Sequence, residues 1–294
     1  YAIIARNPGK TMLVRNTSEL KQALKQEKLA CMIGVEGGHM IEDRITYLDS
    51  LYQRGTRYLT LTWNNSTNWA TSAKDETEKS FPGRKYGLTE LGKQVVRRMN
   101  ELGMMVDLSH VGEQTFWDVL AITRRPVLVS HSSVYAICPH RRNLKDEQIR
   151  AVGRNGGVIH LNFYSGFLDS TYERRKLAFH ALHQAEKDSM KRLNKPEYEI
   201  DEYLSTKYRT EAQELRPPLS LLIDHIDHIV RLTGINHVGL GSDFDGIDSA
   251  PQQLNGVEHF PNITQALLER GYSKTDIRKI LGGNFLRLLG EHDK

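Results

Sequence analysis

Short apolar runs alternate along this chain with longer stretches in which apolar residues recur every three or four positions. The runs have the pattern of buried parallel strands, and the longer stretches that of amphipathic helices. Residues 1–12 carry no clear signal. Thr17-Ser18 can cap a helix reaching about residue 28, with Leu20, Ala23 and Leu24 on one face. A strand is predicted over 29–35, a helical stripe of Ile45, Leu48, Leu51 and Tyr52 stops at Gly55, and a strand over 57–62 follows. The polar stretch 66–86 reads as an irregular or site-covering loop. Beyond it come a helix on Leu91, Val95, Met99 and Leu102, a strand over 104–108, a helix over 113–123, a strand over 126–129, a helix over 145–155 and a strand over 158–163.

There the period breaks. Residues 169–215 are charged and helical in flavour, an inserted excursion on the surface closed by Pro217-Pro218. A helix over 219–232, a strand over 237–240 and three helices over 263–270, 275–281 and 284–289 complete the chain. Regular β-α alternation without hairpin signals implies a parallel sheet covered by helices. Six strands are predicted, short of the eight of a (β/α)8 barrel, and a doubly wound sheet is the competing architecture. Neither a Gly-x-Gly-x-x-Gly after a strand nor a Walker-type phosphate loop is present, which argues against a nucleotide site.

Composition narrows the partners. The chain has 294 residues with 39% hydrophobic and 26% charged, an ordinary globular mix. Its net charge of +4 comes without a basic run, so nucleic acid is not an expected partner. Two cysteines, Cys31 and Cys138, do not settle the redox compartment, and Cys31 lies in a predicted strand as a buried free thiol. No apolar run approaches the ~20 residues of a membrane helix. The chain opens at Tyr1 without Met, so the lack of a visible signal peptide leaves the location open.

Four predicted strands stop at ligand-type side chains: Glu36 in Gly34-Val35-Glu36-Gly37-Gly38-His39, His110 in Asp107-Leu108-Ser109-His110, His131 in Ser130-His131-Ser132-Ser133, and Asp243 in Gly241-Ser242-Asp243-Phe244-Asp245-Gly246. In parallel α/β folds functional groups gather at the C-terminal ends of strands, and a mixed nitrogen and oxygen set suits Zn²⁺. The bland readings are a hydrogen-bonded strand-end histidine and a turn-capping aspartate; four at equivalent places favours metal. His225 and His228 read as a solvated helix face, His180, His183, His259 and His292 as surface, and His160 as packed core. Asp107 either orients His110 or satisfies backbone. Arg142, in Arg141-Arg142-Asn143, is either surface charge or a fork for a substrate carboxylate.

Together with Arg57-Tyr58-Leu59-Thr60-Leu61-Thr62 and Asn162-Phe163-Tyr164, these motifs resemble the renal-type (membrane) dipeptidase family of zinc peptidases, metal-dependent hydrolases on a (β/α)8 TIM-type barrel. The resemblance runs from about Ser18 to Leu289 apart from the excursion. It implies two zinc ions per intact subunit, with Glu36 bridging both, His110 and His131 holding one, and Asp243 holding the other and handling the water's proton. Arg142 would bind the free carboxylate of a dipeptide-like substrate. A homodimer and an exported or membrane-associated location are within what the family implies. The family's first strand carries a His-x-Asp pair that completes the second metal; no His-x-Asp is expected anywhere in this chain, so the second site is expected to be incomplete. At Trp63 the best-studied members have a histidine that contacts substrate; indole donates one hydrogen bond and does not titrate. The reading is thus a single metallo-dipeptidase domain over 1–294. A related amide or lactone hydrolase and a non-catalytic ligand-binding barrel stand as alternatives.

Overall fold

A computed structural model describes residues 1–80 and 85–293. The chain forms two compact units. One comprises Tyr1–Ser130, Arg150–Ile159 and the stretch from Gly282; the other comprises His131–Ile149 and His160–Leu281. The fold is α/β. Among the described residues six parallel strands form one sheet in sequential order: β3 (Ile33–Glu36), β4 (Thr56–Thr60), β5 (Met105–Asp107), β6 (Leu128–Val129), β7 (Val158–Asn162) and β8 (Val238–Ser242).

In the first unit β3 to β6 pair in steps, Glu36 opposite Thr60 and Thr60 opposite Asp107, so successive strand ends lie in register. Between them run the helices Ile45–Gln53, Glu90–Leu102 and Glu113–Ile122. Thr89 caps the second of these through Gly92 N–H, and Gly103, at φ 77°, ends it where a side chain would be strained. Val95, Val96 and Met99 form its fully buried face. Met105, Leu128, Val158, Leu288 and Leu289 meet in one core, so the helix Asn284–His292 closes over the sheet.

The apolar run 29–35 departs from expectation. It is two strands, β2 (Leu29–Cys31) and β3, in different sheets. β2 pairs in parallel with β1 (Thr11–Leu13), a strand the sequence does not announce, with Met12 opposite Ala30. Hydrophobicity marks the run as extended, but only the partner of each half decides its sheet. Cys31, partly accessible rather than buried, follows from the same break.

The stretch 66–80 is more than a covering loop. Trp69, Thr71 and Ser72 are fully buried, and Ser72 caps a helix Ala73–Glu78 by accepting Asp75 N–H. Residues 81–84 of the predicted loop lie outside the described residues.

In the second unit the excursion is helical as expected: Tyr172–Leu182, Gln184–Arg192, Glu197–Lys207 and Arg209–Leu215. It has its own small core of Phe179, Ile200 and Leu204. Helix Leu219–Thr233 buries Leu222, Ile223, Ile226 and Ile229, then leads to β8. Gly239 of β8 is required by close approach, since a Cβ there would lie 2.5 Å from the His160 ring. His160 is partly buried rather than enclosed in a core.

Candidate metal centre

The end of β3 explains its two glycines. Gly37 adopts φ 96°, a left-handed conformation, and donates its N–H to Thr60 O at 3.2 Å. At Gly38 a Cβ would lie 2.5 Å from the Leu61 carbonyl and 2.4 Å from the Trp69 ring. The chain therefore turns tightly over Trp69 and leaves the Glu36 side chain 44% exposed at the strand end. His39 sits farther round the turn, its Nε2 3.1 Å from Ser66 O.

Beside it, β5 ends in Asp107, fully buried and saturated. Its Oδ2 accepts from Thr60 Oγ1 at 2.5 Å and Ser130 Oγ at 2.6 Å; its Oδ1 accepts from Ser109 N–H at 3.1 Å and Ser130 N–H at 2.8 Å. Asp107 thus ties the ends of β4, β5 and β6 together, which is a positioning role for the residues that follow them. His110 takes φ 65°, an unusual backbone for a non-glycine residue and the kind found where neighbouring structure enforces a functional geometry. Its Nε2 lies 2.8 Å from Glu36 Oε1. Trp63, 49% exposed, has its ring 6.3 Å from that of His110, tilted by 32°.

His131 follows Ser130 directly, so the peptide bond keeps it at the strand end that Asp107 secures. Glu36 and His110 thus meet within the first unit, and His131 is the first residue of the second. A carboxylate oxygen and an imidazole nitrogen 2.8 Å apart are donors of the kinds that suit a zinc-type ion.

In the second unit Arg142 is buried, not surface charge. Its Nη2 donates to His131 O at 3.3 Å, and its guanidinium lies 5.4 Å from the Phe167 ring centroid. Asn143 fixes this loop by donating to Cys138 O at 2.8 Å and Phe167 O at 2.7 Å. Burial, with Arg141 and Arg142 adding repulsion, pushes the His140 imidazole down to about 4, so it is neutral and accepts Arg142 N–H at 3.1 Å. Asp243 follows β8 at φ 79°, after Ser242 at φ 49°. Its Oδ2 accepts from Asn162 Nδ2 at 3.0 Å, so the last residue of β7 orients it. Asn162 stands in a motif noted in the sequence, but its role emerges only from this contact.

Several histidines read as surface are buried: His180, His225, His228 and His292. His225 Nδ1 accepts Val134 N–H at 3.1 Å and its Nε2 lies 3.0 Å from Leu168 O, so it is a structural crosslink. Contrary to expectation the sequence does hold one His-x-Asp spacing, His225-Ile226-Asp227, but it lies on a helix, with His225 in this crosslink and Asp227 bonded to Arg270 and Tyr272. A second acid–imidazole group, His180, Glu197 and Asp201, lies in the excursion. Lys176 is 2.8 Å from Asp201, Lys187 pairs with Glu197, and Lys187 Nζ is 2.9 Å from His180 Nδ1. Two ammonium groups already supply the positive charge there. This cluster borders a cavity of about 920 Å³ lined also by Phe244, Asp248 and Arg216.

A family model described as membrane dipeptidase (peptidase family M19) matches residues 1–294. The chain belongs to the membrane dipeptidase family. Among solved structures, it is similar to the probable dipeptidase PvdM from Pseudomonas aeruginosa, at 27% identity and TM-score 0.79, over 99% of this chain and 76% of that one. It is also similar to a metallo peptidase from Rhodobacter sphaeroides, liganded with a phosphinate mimic of the dipeptide L-Ala-D-Ala, at 25% identity and TM-score 0.76, over 97% and 70% of the two chains. An amidohydrolase from Pseudomonas aeruginosa, at 22% identity and TM-score 0.77, shares the fold. The resemblance read from the motifs is thereby borne out at the level of the family.

Proposed function

We propose that this protein is a zinc-dependent dipeptidase in which Glu36, His110, His131 and Asp243 provide the metal ligands. The observation that carries the reading is the pairing of Glu36 with His110 at 2.8 Å in a chain of the dipeptidase family. A metal bound there supplies Lewis acidity, polarising the scissile carbonyl and making water a better nucleophile near neutral pH. Asp243, oriented by Asn162, takes the proton of the attacking water and delivers it to the leaving amine. Arg142 binds the free carboxylate of the substrate, for which a planar guanidinium fork is suited. Trp63 presents an exposed apolar wall beside His110 and contacts the substrate.

The fold in this reading is that of a single (β/α)8 TIM-type hydrolase domain. β3 and β8 are the outer strands of the observed order, and further strands would pair with them. A second zinc needs ligands beyond these four, which the family takes from a His-x-Asp strand. One observation favours a second reading. Trp63, 49% exposed beside His110, stands where the resemblance implies a titratable histidine, and a non-titrating indole there suits a related amide or lactone hydrolase.

Zinc content by elemental analysis, together with turnover of a panel of dipeptides, N-acyl amino acids and lactones, tests both. Wild type should carry zinc and hydrolyse dipeptides. His131→Ala should lose zinc and at least ~10³-fold in turnover, because it removes a ligand rather than a neighbour. Unchanged zinc and turnover in that variant would sink the assignment. Turnover confined to lactones or N-acyl amino acids would favour the second reading.

A further inference from the structure

We propose that Lys176, in the helical excursion, is a positioning residue that clamps the loop following β8 and thereby holds the Asp243 carboxylate in place. The inference rests on the role given to Asp243 above. It gives the excursion a function: anchoring one strand-end loop.

The loop needs an anchor. Ser242 and Asp243 are consecutive non-glycine residues in the left-handed region, at φ 49° and 79°. Such a pair persists only where surrounding contacts over-determine it. The turn is then drawn tight: Gly246 N–H donates to Asp243 O at 2.9 Å, and a Cβ on Gly246 would lie 2.4 Å from Asp243 Oδ1. The Asp243 carboxylate thus fills the space that a side chain at Gly246 would take, so the position of the turn and that of the carboxylate are linked.

The far side of the turn is held by the excursion and its flanks. Lys176 Nζ, on helix Tyr172–Leu182, is 2.5 Å from Asp248 Oδ2 and 2.8 Å from Asp201 Oδ2 on helix Glu197–Lys207. Ser165 N–H donates to Ser249 O at 2.9 Å, and Arg216 donates to Ala250 O at 2.6 Å. Ser165 and Ser249 also meet through their hydroxyls at 2.8 Å, while Lys176 joins two carboxylates with its side chain only 17% exposed. Burial alone would favour losing its proton, but the bonds to Asp201 and Asp248 outweigh that and hold its pKa above the ordinary value. The ammonium therefore keeps its proton at neutral pH, and partial burial weakens screening by salt.

The two carboxylates separate the clamp from plain support of the excursion. Asp248→Asn weakens the link to the loop and leaves the link to Asp201; Asp201→Asn does the reverse. Hydrogen–deuterium exchange of residues 243–250 is read beside steady-state kinetics on a dipeptide. Lys176→Met and Asp248→Asn should raise exchange in 243–250 at least ~5-fold, and lower kcat about 10-fold or more with KM within ~2-fold. Lys176→Arg should restore most of both, and Asp201→Asn should keep both near wild type. Unchanged exchange over 243–250 in both Lys176→Met and Asp248→Asn overturns the proposal. So does a loss that Asp201→Asn reproduces in full. If Lys176→Met loosens 172–215 as a whole, Asp248→Asn, which keeps the excursion's own ion pair, decides. A wild type that hydrolyses no dipeptide refutes the dipeptidase reading, and the exchange arm still judges the clamp.

Discussion

Replacing His225 with glutamine should flatten the dependence of stability on pH between 7 and 5. His225 is fully enclosed, with Val134 N–H donating to Nδ1. A ring nitrogen that accepts a hydrogen bond carries no proton, so the proton is on Nε2 and is donated to Leu168 O. Protonating Nδ1 would set two donors against each other and bury a charge. Burial accordingly pushes the imidazole down from 6.5 to about 4, and the bond to Leu168 and the charge on Asp224 offset only part of this. The unfolded chain takes up its proton near 6.5, the folded protein only near 4, so between those values the unfolded state binds more protons. Stability from this group is intact above the unfolded value and is lost as pH falls through the window. Each pH unit inside it is worth ~1.4 kcal/mol, so the descent to pH 5 removes about 2 kcal/mol from His225 alone. Glutamine offers an acceptor and a donor but does not titrate. Urea unfolding at pH 7 and pH 5, with chelator present in every sample, measures the loss in each protein. His292 and His140, both pushed down to about 4 by burial, add to the wild-type loss but remain in the variant and cancel in the comparison. Wild type should lose about 2 kcal/mol more than His225→Gln. Equal losses in the two proteins would refute the neutral crosslink and the tautomer deduced from Val134.

Two further perturbations probe the site. Gly38→Ala drives a methyl against the Leu61 carbonyl at 2.5 Å, a backbone atom that cannot swing aside, and should cost about 1–3 kcal/mol in thermal or urea unfolding. Gly9→Ala, with nothing within 4 Å of the new Cβ, should stay within ~0.5 kcal/mol of wild type and is the control. Arg142→Lys keeps the charge but loses the planar fork, so KM for a dipeptide should rise about 10-fold with a smaller change in kcat. On a dipeptide amide, which lacks the carboxylate, the variant and wild type should match. A difference as large as that on the free dipeptide would remove Arg142 from carboxylate binding.

Much of this protein is decided by local sequence. Runs of apolar residues set the strands from β4 to β8, because a segment buried on both faces must be apolar throughout. Thr89 and Gly103 mark the ends of their helix, because a cap and a left-handed residue act within one turn. Glu36, His110, His131 and Asp243 stand out for the same kind of reason, each closing an apolar run with a polar ligand type. What acts across the chain is decided only by tertiary structure. The run 29–35 divides between two sheets, because partners far along the chain satisfy each half. Histidines in helices full of charge turn out buried, because backbone groups such as Val134 N–H and Pro126 O meet their rings from distant segments. Asp107 carries no sign in the sequence that it will accept four hydrogen bonds from three strand ends, nor Lys176 that it will reach Asp248. Hydrophobic pattern and turn chemistry are properties of neighbours in sequence, while hydrogen-bond and charge partners are properties of neighbours in space, and the candidate site needs both.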